Sequence, residues 1–182
     1  MICSRKIIIK MNSIVENLRT DLIRNADEKT RKSGKRFFKE DVTLHGVRSA
    51  IVGKISKEHY QLLQDKSKEN VFRICEELWQ TGIMEEGFIA CNWSYFVKKQ
   101  YLPEDFIIFE KWVENYISNW AACDTLCNHT VGAIVEKYPE CLSQLKKWAK
   151  SPNRWVKRAS AVSLIIPARN GLFLNDIYAC RA

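Results

Sequence analysis

Two short stretches place residues with usable chemistry at helical spacing. In Asn119-Trp120-Ala121-Ala122-Cys123-Asp124-Thr125-Leu126-Cys127, an acid stands four residues after a tryptophan. In Ser151-Pro152-Asn153-Arg154-Trp155-Val156-Lys157-Arg158-Ala159-Ser160, an arginine stands three residues after another tryptophan. Residues three and four apart share one side of a helix, so each charge borders an indole. A carboxylate can stabilise developing positive charge or orient a water. A guanidinium offers a planar fork for phosphate and a cation that stacks on indole. Each residue also has a plainer reading. An acid in the early turns of a helix complements the macrodipole, and an arginine can cover core with its stem while its head reaches water.

The elements that must position these groups read as helices. Ile14, Val15, Leu18 and Leu22 predict a helix over 11–25. Residues 27–39 are strongly basic and end in Phe37 and Phe38. They form either a solvated helix pinned by its aromatics or a phosphate-facing edge with an aromatic to stack. Val47, Ile51 and Ile55 predict a helix over 46–55, and Ser67 caps one over 68–80 that Gly82 ends. Apolar residues crowd 85–101, and Pro103 opens a helix over 104–116 with Phe106, Ile107, Phe109 and Val113 inward. One helix over 119–137 carries Asp124. Trp120, Asp124 and Cys127 share one of its faces, with Cys123 and Leu126 as the alternative core face. Pro139 starts another helix over 140–149. Ser151 is the expected N-cap of the last, with Pro152 at its first position and a stripe of Arg154, Trp155, Arg158, Val162 and Ile165.

A run of short helices with short connectors and no strand alternation predicts an all-α fold, a superhelical stack of antiparallel helical hairpins. No sequence repeat is sharp enough to set a period. The length of 182 residues suits one domain over 11–182, with 1–10 as an N-terminal extension and Met11 as a candidate start. The first ten residues are too short for a signal peptide or a membrane span.

The net charge of +8 is unevenly spread. Residues 1–40 carry 11 basic and 5 acidic side chains, 41–140 carry 10 and 15, and 141–182 carry 8 and one. Basic ends around an acidic middle suit a polyanion partner, or a solvated surface that maintains solubility. Seven cysteines give no disulfide framework, and most lie in apolar helical runs where a free thiol packs as a small hydrophobe. Free thiols imply a reducing, cytoplasmic compartment. Cys123, Cys127 and His129 lack zinc-knuckle spacing, so no metal is expected.

The order Trp-x-x-x-Asp, then Ser-x-x-x-Trp-x-x-Arg-Ala some thirty residues on, resembles the DNA alkylation repair family of AlkD-like glycosylases. Ser33-Gly34-Lys35-Arg36-Phe37-Phe38-Lys39 is similar to that family's early helix with an aromatic near DNA. Glu77-Leu78-Trp79, Lys137-Tyr138-Pro139-Glu140 and Lys147-Trp148-Ala149 follow in its order. The resemblance covers residues 11–175, and Trp155-Val156-Lys157-Arg158-Ala159 is its most specific part.

The resemblance implies HEAT-like repeats holding duplex DNA, and excision of alkylated purines such as 3-methyladenine and 7-methylguanine by a monomer without cofactor. It implies Asp124 as the catalytic carboxylate, Trp120 packed on the lesion nucleotide, and Arg158 as partner of both phosphate and acid. Lys35, Arg36, Phe37, Lys39, Arg154, Trp155 and Lys157 are the expected DNA contacts. The family's base need not be flipped into a pocket, unlike the usual solution. Another tryptophan of the family site belongs to helices beyond Ala182, so the expected domain is C-terminally truncated. A helical-repeat module that binds nucleic acid or protein without catalysis is the alternative.

Overall fold

Helical periodicity in the sequence becomes an all-α, helical-repeat fold. The computed structural model describes residues 3–174, with side chains from residue 14 onward. Expectations placed on the chain's end at Ala182 lie outside the described residues, as do those on the side chains of 1–10. The chain packs as two compact units, Met1–Trp93 and Ser94–Ala182.

In the first unit, α1 (Cys3–Arg24) buries Val15, Leu18 and Leu22 and packs against α3 (Ser49–Leu62). His59 of α3 sits 2.8 Å from Asp21 of α1. The basic helix α2 (Glu28–Arg36) buries nothing. It starts at Asp27, whose carboxylate accepts the Thr30 N–H and O–H, both at 2.7 Å. The Thr30 hydroxyl first, then its amide, holds that carboxyl below its ordinary value. Phe37 is 70% exposed with its ring edge-on to Phe38, 5.9 Å between centroids, and Phe38 is half-buried.

The helix expected over 46–55 starts three residues later and runs on to Leu62. An earlier start is prevented at Gly46, whose φ of +92 lies outside the right-handed region. The backbone N–H groups of His45, Gly46 and Val47 are committed to the Glu85 carboxylate, at 3.1, 2.8 and 3.0 Å. Beside it, the sealed Glu86 accepts Arg19 Nε at 3.1 and 3.2 Å. These adjacent acids of α5 (Met84–Phe96) fasten the loop and α1 to α5. The helix α4 (Lys68–Trp79) has the expected Ser67 cap, and Gly82 follows it at φ +66. The only β-like feature among the described residues is an isolated bridge between Thr43 and Ile83.

In the second unit, the run expected to reach residue 101 breaks after Phe96 into a 3-10 turn at Lys98–Gln100. The fully buried Tyr101 donates its hydroxyl to Ser94 O at 2.7 Å. Pro103 opens a 3-10 turn that leads into α6 (Phe106–Tyr116). Phe106, Phe109, Trp112 and Val113 are buried, but Ile107, expected inward, is exposed. The expected 119–137 helix is α7 (Trp120–Leu126), a π-helical turn at Cys127–Val131, and α8 (Gly132–Lys137). After a 3-10 turn at Pro139–Cys141 come α9 (Leu142–Trp148), α10 (Arg154–Val162) and α11 (Ile165–Arg169). The helix α10 packs against α6, α7 and α9.

Two expectations about α10 are corrected. Its N-cap is Asn153, not Ser151: Asn153 Oδ1 accepts the Trp155 N–H at 2.9 Å, and Ser151 Oγ accepts the Asn153 N–H at 3.2 Å. The hydroxyl shapes the approach turn, while the amide two residues later is in reach of the first helical turn. The helix also stops at Val162, so Ile165 belongs to α11. Pro167 has no N–H to give Ser163 O, and α10 cannot run through that position.

Candidate active site

The helix α7 starts at Asn119, whose side chain accepts the Ala122 N–H at 2.9 Å. Its core face is Ala122, Cys123, Leu126 and Cys127. Cys127 therefore belongs with Cys123 and Leu126, and Trp120 and Asp124 occupy the open side. The core face of α10 is Val156, Ala159, Ser160 and Val162. Arg158 thus leaves the stripe that Val162 was expected to share with it, and Arg154, Lys157 and Arg158 are exposed.

Packing of α7 on α10 brings the two charged candidates together. Arg158 Nε donates to Asp124 Oδ1 and Arg158 Nη2 to Asp124 Oδ2, both at 2.7 Å. This is a two-point fork, which fixes orientation as well as distance. The side chains of Arg158 and Asp124 keep 42% and 29% of their surface open, so the pair faces solvent instead of closing a core. The Asp124 hydrogen bonds raise the Arg158 guanidinium above its ordinary value against desolvation, and the Asp124 charge adds to the rise. Next to it, the Arg154 guanidinium lies 4.4 Å from the centre of the Trp155 ring. Trp120 is 36% exposed at the first position of α7, on the same helix side as the acid.

The remaining candidates lie in the first unit. Lys35 and Arg36 occupy the last turn of α2, Phe37 is its C-cap, and Lys39 follows in the next bend, all four exposed. The three cations suit a nucleic-acid backbone, and the ring of Phe37 suits stacking.

Sequence reasoning missed the equivalence of the two site helices. Asn119 and Asn153 both cap, and Asp124 and Arg158 both stand five residues after their cap, so the paired residues are 34 apart. Contacts also advance together along the two helices. Cys123 Sγ is 3.7 Å from Trp155 O, Asp124 meets Arg158, and Gly132 faces Ser163 O. The two helices therefore run in the same direction, as the second helices of successive hairpins do. A matched Asn-to-charge interval was the available signal.

Cys75, Cys91, Cys123, Cys127 and Cys141 form no disulfide and are buried, and the side chains of Cys3 and Cys180 lie outside the described residues. Among the described residues no His, Cys, Asp and Glu cluster could hold a metal ion, and no helix is long and apolar enough to cross a membrane.

No curated protein matches the chain. The family described as DNA alkylation repair enzyme matches residues 18–181, which include every residue of both site helices. With that match over nearly its whole length, the chain belongs to the DNA alkylation repair enzyme family.

Proposed function

We propose that the protein is a DNA glycosylase that hydrolyses the N-glycosidic bond of cationic alkylated purines, such as 3-methyladenine and 7-methylguanine, in duplex DNA. One observation carries the reading: a carboxylate held by a two-point arginine fork on the open side of two parallel repeat helices, with indoles on both.

The chemistry asks for these groups. Alkylation at N3 or N7 leaves the purine cationic, so the base departs without a strong general acid. The C1′–N bond breaks with its electron pair going to the base, and positive charge builds on the deoxyribose, as in sugar hydrolysis. Asp124 faces that charge and orients the water whose oxygen bonds to C1′, and the released proton passes to solvent. Trp120 packs against the lesion nucleotide, and an indole face adds on the order of 0.5–2 kcal/mol of cation–π attraction. Arg158 fixes Asp124 through Nε and Nη2 and offers its remaining N–H groups to a backbone phosphate. Arg154, stacked on Trp155, and Lys157 extend the phosphate contacts, Lys35, Arg36 and Lys39 are further candidate phosphate ligands, and Phe37 offers a ring for stacking or groove contact.

The direct test is incubation of purified protein with methylated duplex DNA and chromatography of the released bases. Release of 3-methyladenine or 7-methylguanine is expected. Tight DNA binding with no release would replace the reading by a non-catalytic nucleic-acid-binding module. Arg158→Ala should weaken DNA binding and lower the slope of log affinity against log salt by about 1. A salt slope equal to wild type would restrict Arg158 to holding Asp124.

A further inference from the structure

The helix that carries Asp124 is interrupted three residues later by a π turn, and the sequence shows what the interruption does. Apart from Gly132, the buried positions along it are Ala122, Cys123, Leu126, Cys127, Thr130, Val131, Ile134 and Val135, two rows that repeat every four residues. An α-helix has about 3.6 residues per turn, so over three such steps its buried stripe would rotate by about 120°. A π turn is wider than an α turn and winds the chain back. Gly132 N–H donates to Cys127 O, five residues before it, and closes this turn. With the turn in place, one rod keeps both halves in the core, and Asp124 stays on the side that meets α10.

Two further contacts hold the turn. Thr130 and Ser94 are fully buried, and their hydroxyls are 2.9 Å apart. Gly132 lies against the C-terminal end of α10. A Cβ there would come within 3.0 Å of Ser163 O and 3.3 Å of Cys127 O, with Pro167 Cδ at 3.7 Å. The absence of a side chain lets the Ser163 carbonyl approach the helix backbone. At the other end of α10, Cys123 Sγ meets Trp155 O. The two helices are thus pinned on both sides of Arg158, and the fork between Arg158 and Asp124 spans the gap that the pins define.

We propose that the π turn Cys127–Val131, through Thr130 and Gly132, sets the register of Asp124 against Arg158. The two are positioning residues that act without touching the substrate. The inference rests on the reading of this pair as the reaction site, and it is tested by one measurement that needs no activity. The Nε–H signal of Arg158, followed by 15N-edited NMR and assigned by its loss in Arg158→Lys, reports the fork directly. Its position in Asp124→Asn marks the broken pair. Gly132→Ala and Thr130→Val should move the signal most of the way to that position, and Thr130→Ser, which keeps the hydroxyl, should restore it.

In base release, Gly132→Ala and Thr130→Val should lower kcat about tenfold, with DNA affinity within about twofold of wild type and Thr130→Ser again close to it. An Arg158 signal unmoved in the folded Thr130→Val protein, with kcat unchanged, overturns the proposal. If Gly132→Ala does not fold, the Thr130→Val and Thr130→Ser pair decides alone. If wild-type protein releases no base, the glycosylase reading fails by itself, and the NMR signal still decides whether the turn sets the pair.

Discussion

Asp124→Asn is expected to lower base release by about 10²–10³-fold or more while DNA binding is retained. The substitution preserves size and shape and removes the charge. In the wild-type site both Asp124 oxygens accept from one guanidinium at 2.7 Å. An asparagine has one acceptor oxygen, and its NH₂ would point donors at the donors of Arg158. The fork therefore opens. Positive charge growing on the deoxyribose loses the fixed negative group that faced it, and the attacking water loses its orienting acceptor. Binding should move the other way, because Arg158, released from its acid, becomes a stronger phosphate ligand. The expected pattern is a collapse of kcat with a Kd for undamaged duplex equal to or below that of wild type. Single-turnover release of methylated base, with a parallel titration of undamaged DNA, reads both. Release unchanged in this variant would sink the assignment of Asp124 as the reacting carboxylate.

Glu85→Ala is expected to destabilise the protein by about 3 kcal/mol or more, the largest stability effect foreseen for a residue outside the site. Its carboxylate accepts the N–H groups of His45, Gly46 and Val47, and the side chain is buried, so water is poorly placed to replace it. Removing one acceptor strands three donors. Each stranded buried donor costs on the order of 1–3 kcal/mol, and partial relaxation of the loop keeps the total below the sum. Glu85→Gln, which keeps one oxygen, should lose less. Urea unfolding followed by circular dichroism gives both values. A loss under about 1 kcal/mol for the alanine variant would mean that the loop is held by other contacts.

The sequence was most informative where the physics is local. The expected helices recur because apolar residues at i, i+3 and i+4 must face a core wherever that core lies, as Val15, Leu18 and Leu22 do in α1. Boundaries were missed where a distant residue intervened. The helix α3 does not reach back to residue 46 because Gly46 takes φ +92, in a loop whose N–H groups at His45, Gly46 and Val47 converge on the Glu85 carboxylate some forty positions away. Caps were misread where two candidates stood close together, as Ser151 and Asn153 do, since only the backbone geometry selects which side chain reaches the first turn.

For the candidate site, the sequence by itself determined which residues are offered. An acid and an arginine, each at helical spacing from an indole, and each five residues after an asparagine, are fixed by covalent order alone. Tertiary structure decided what they do to one another. The fork between Asp124 and Arg158 exists because α7 and α10 lie side by side in the same direction, pinned at Cys123–Trp155 and Gly132–Ser163. Periodicity sets which way a side chain leaves its own helix. It carries no information about which neighbour stands opposite, because that depends on how every intervening turn is wound, including the π turn at Cys127–Val131. A carboxylate that on one helix could simply have complemented a dipole becomes half of a two-point pair once the second helix is laid beside it.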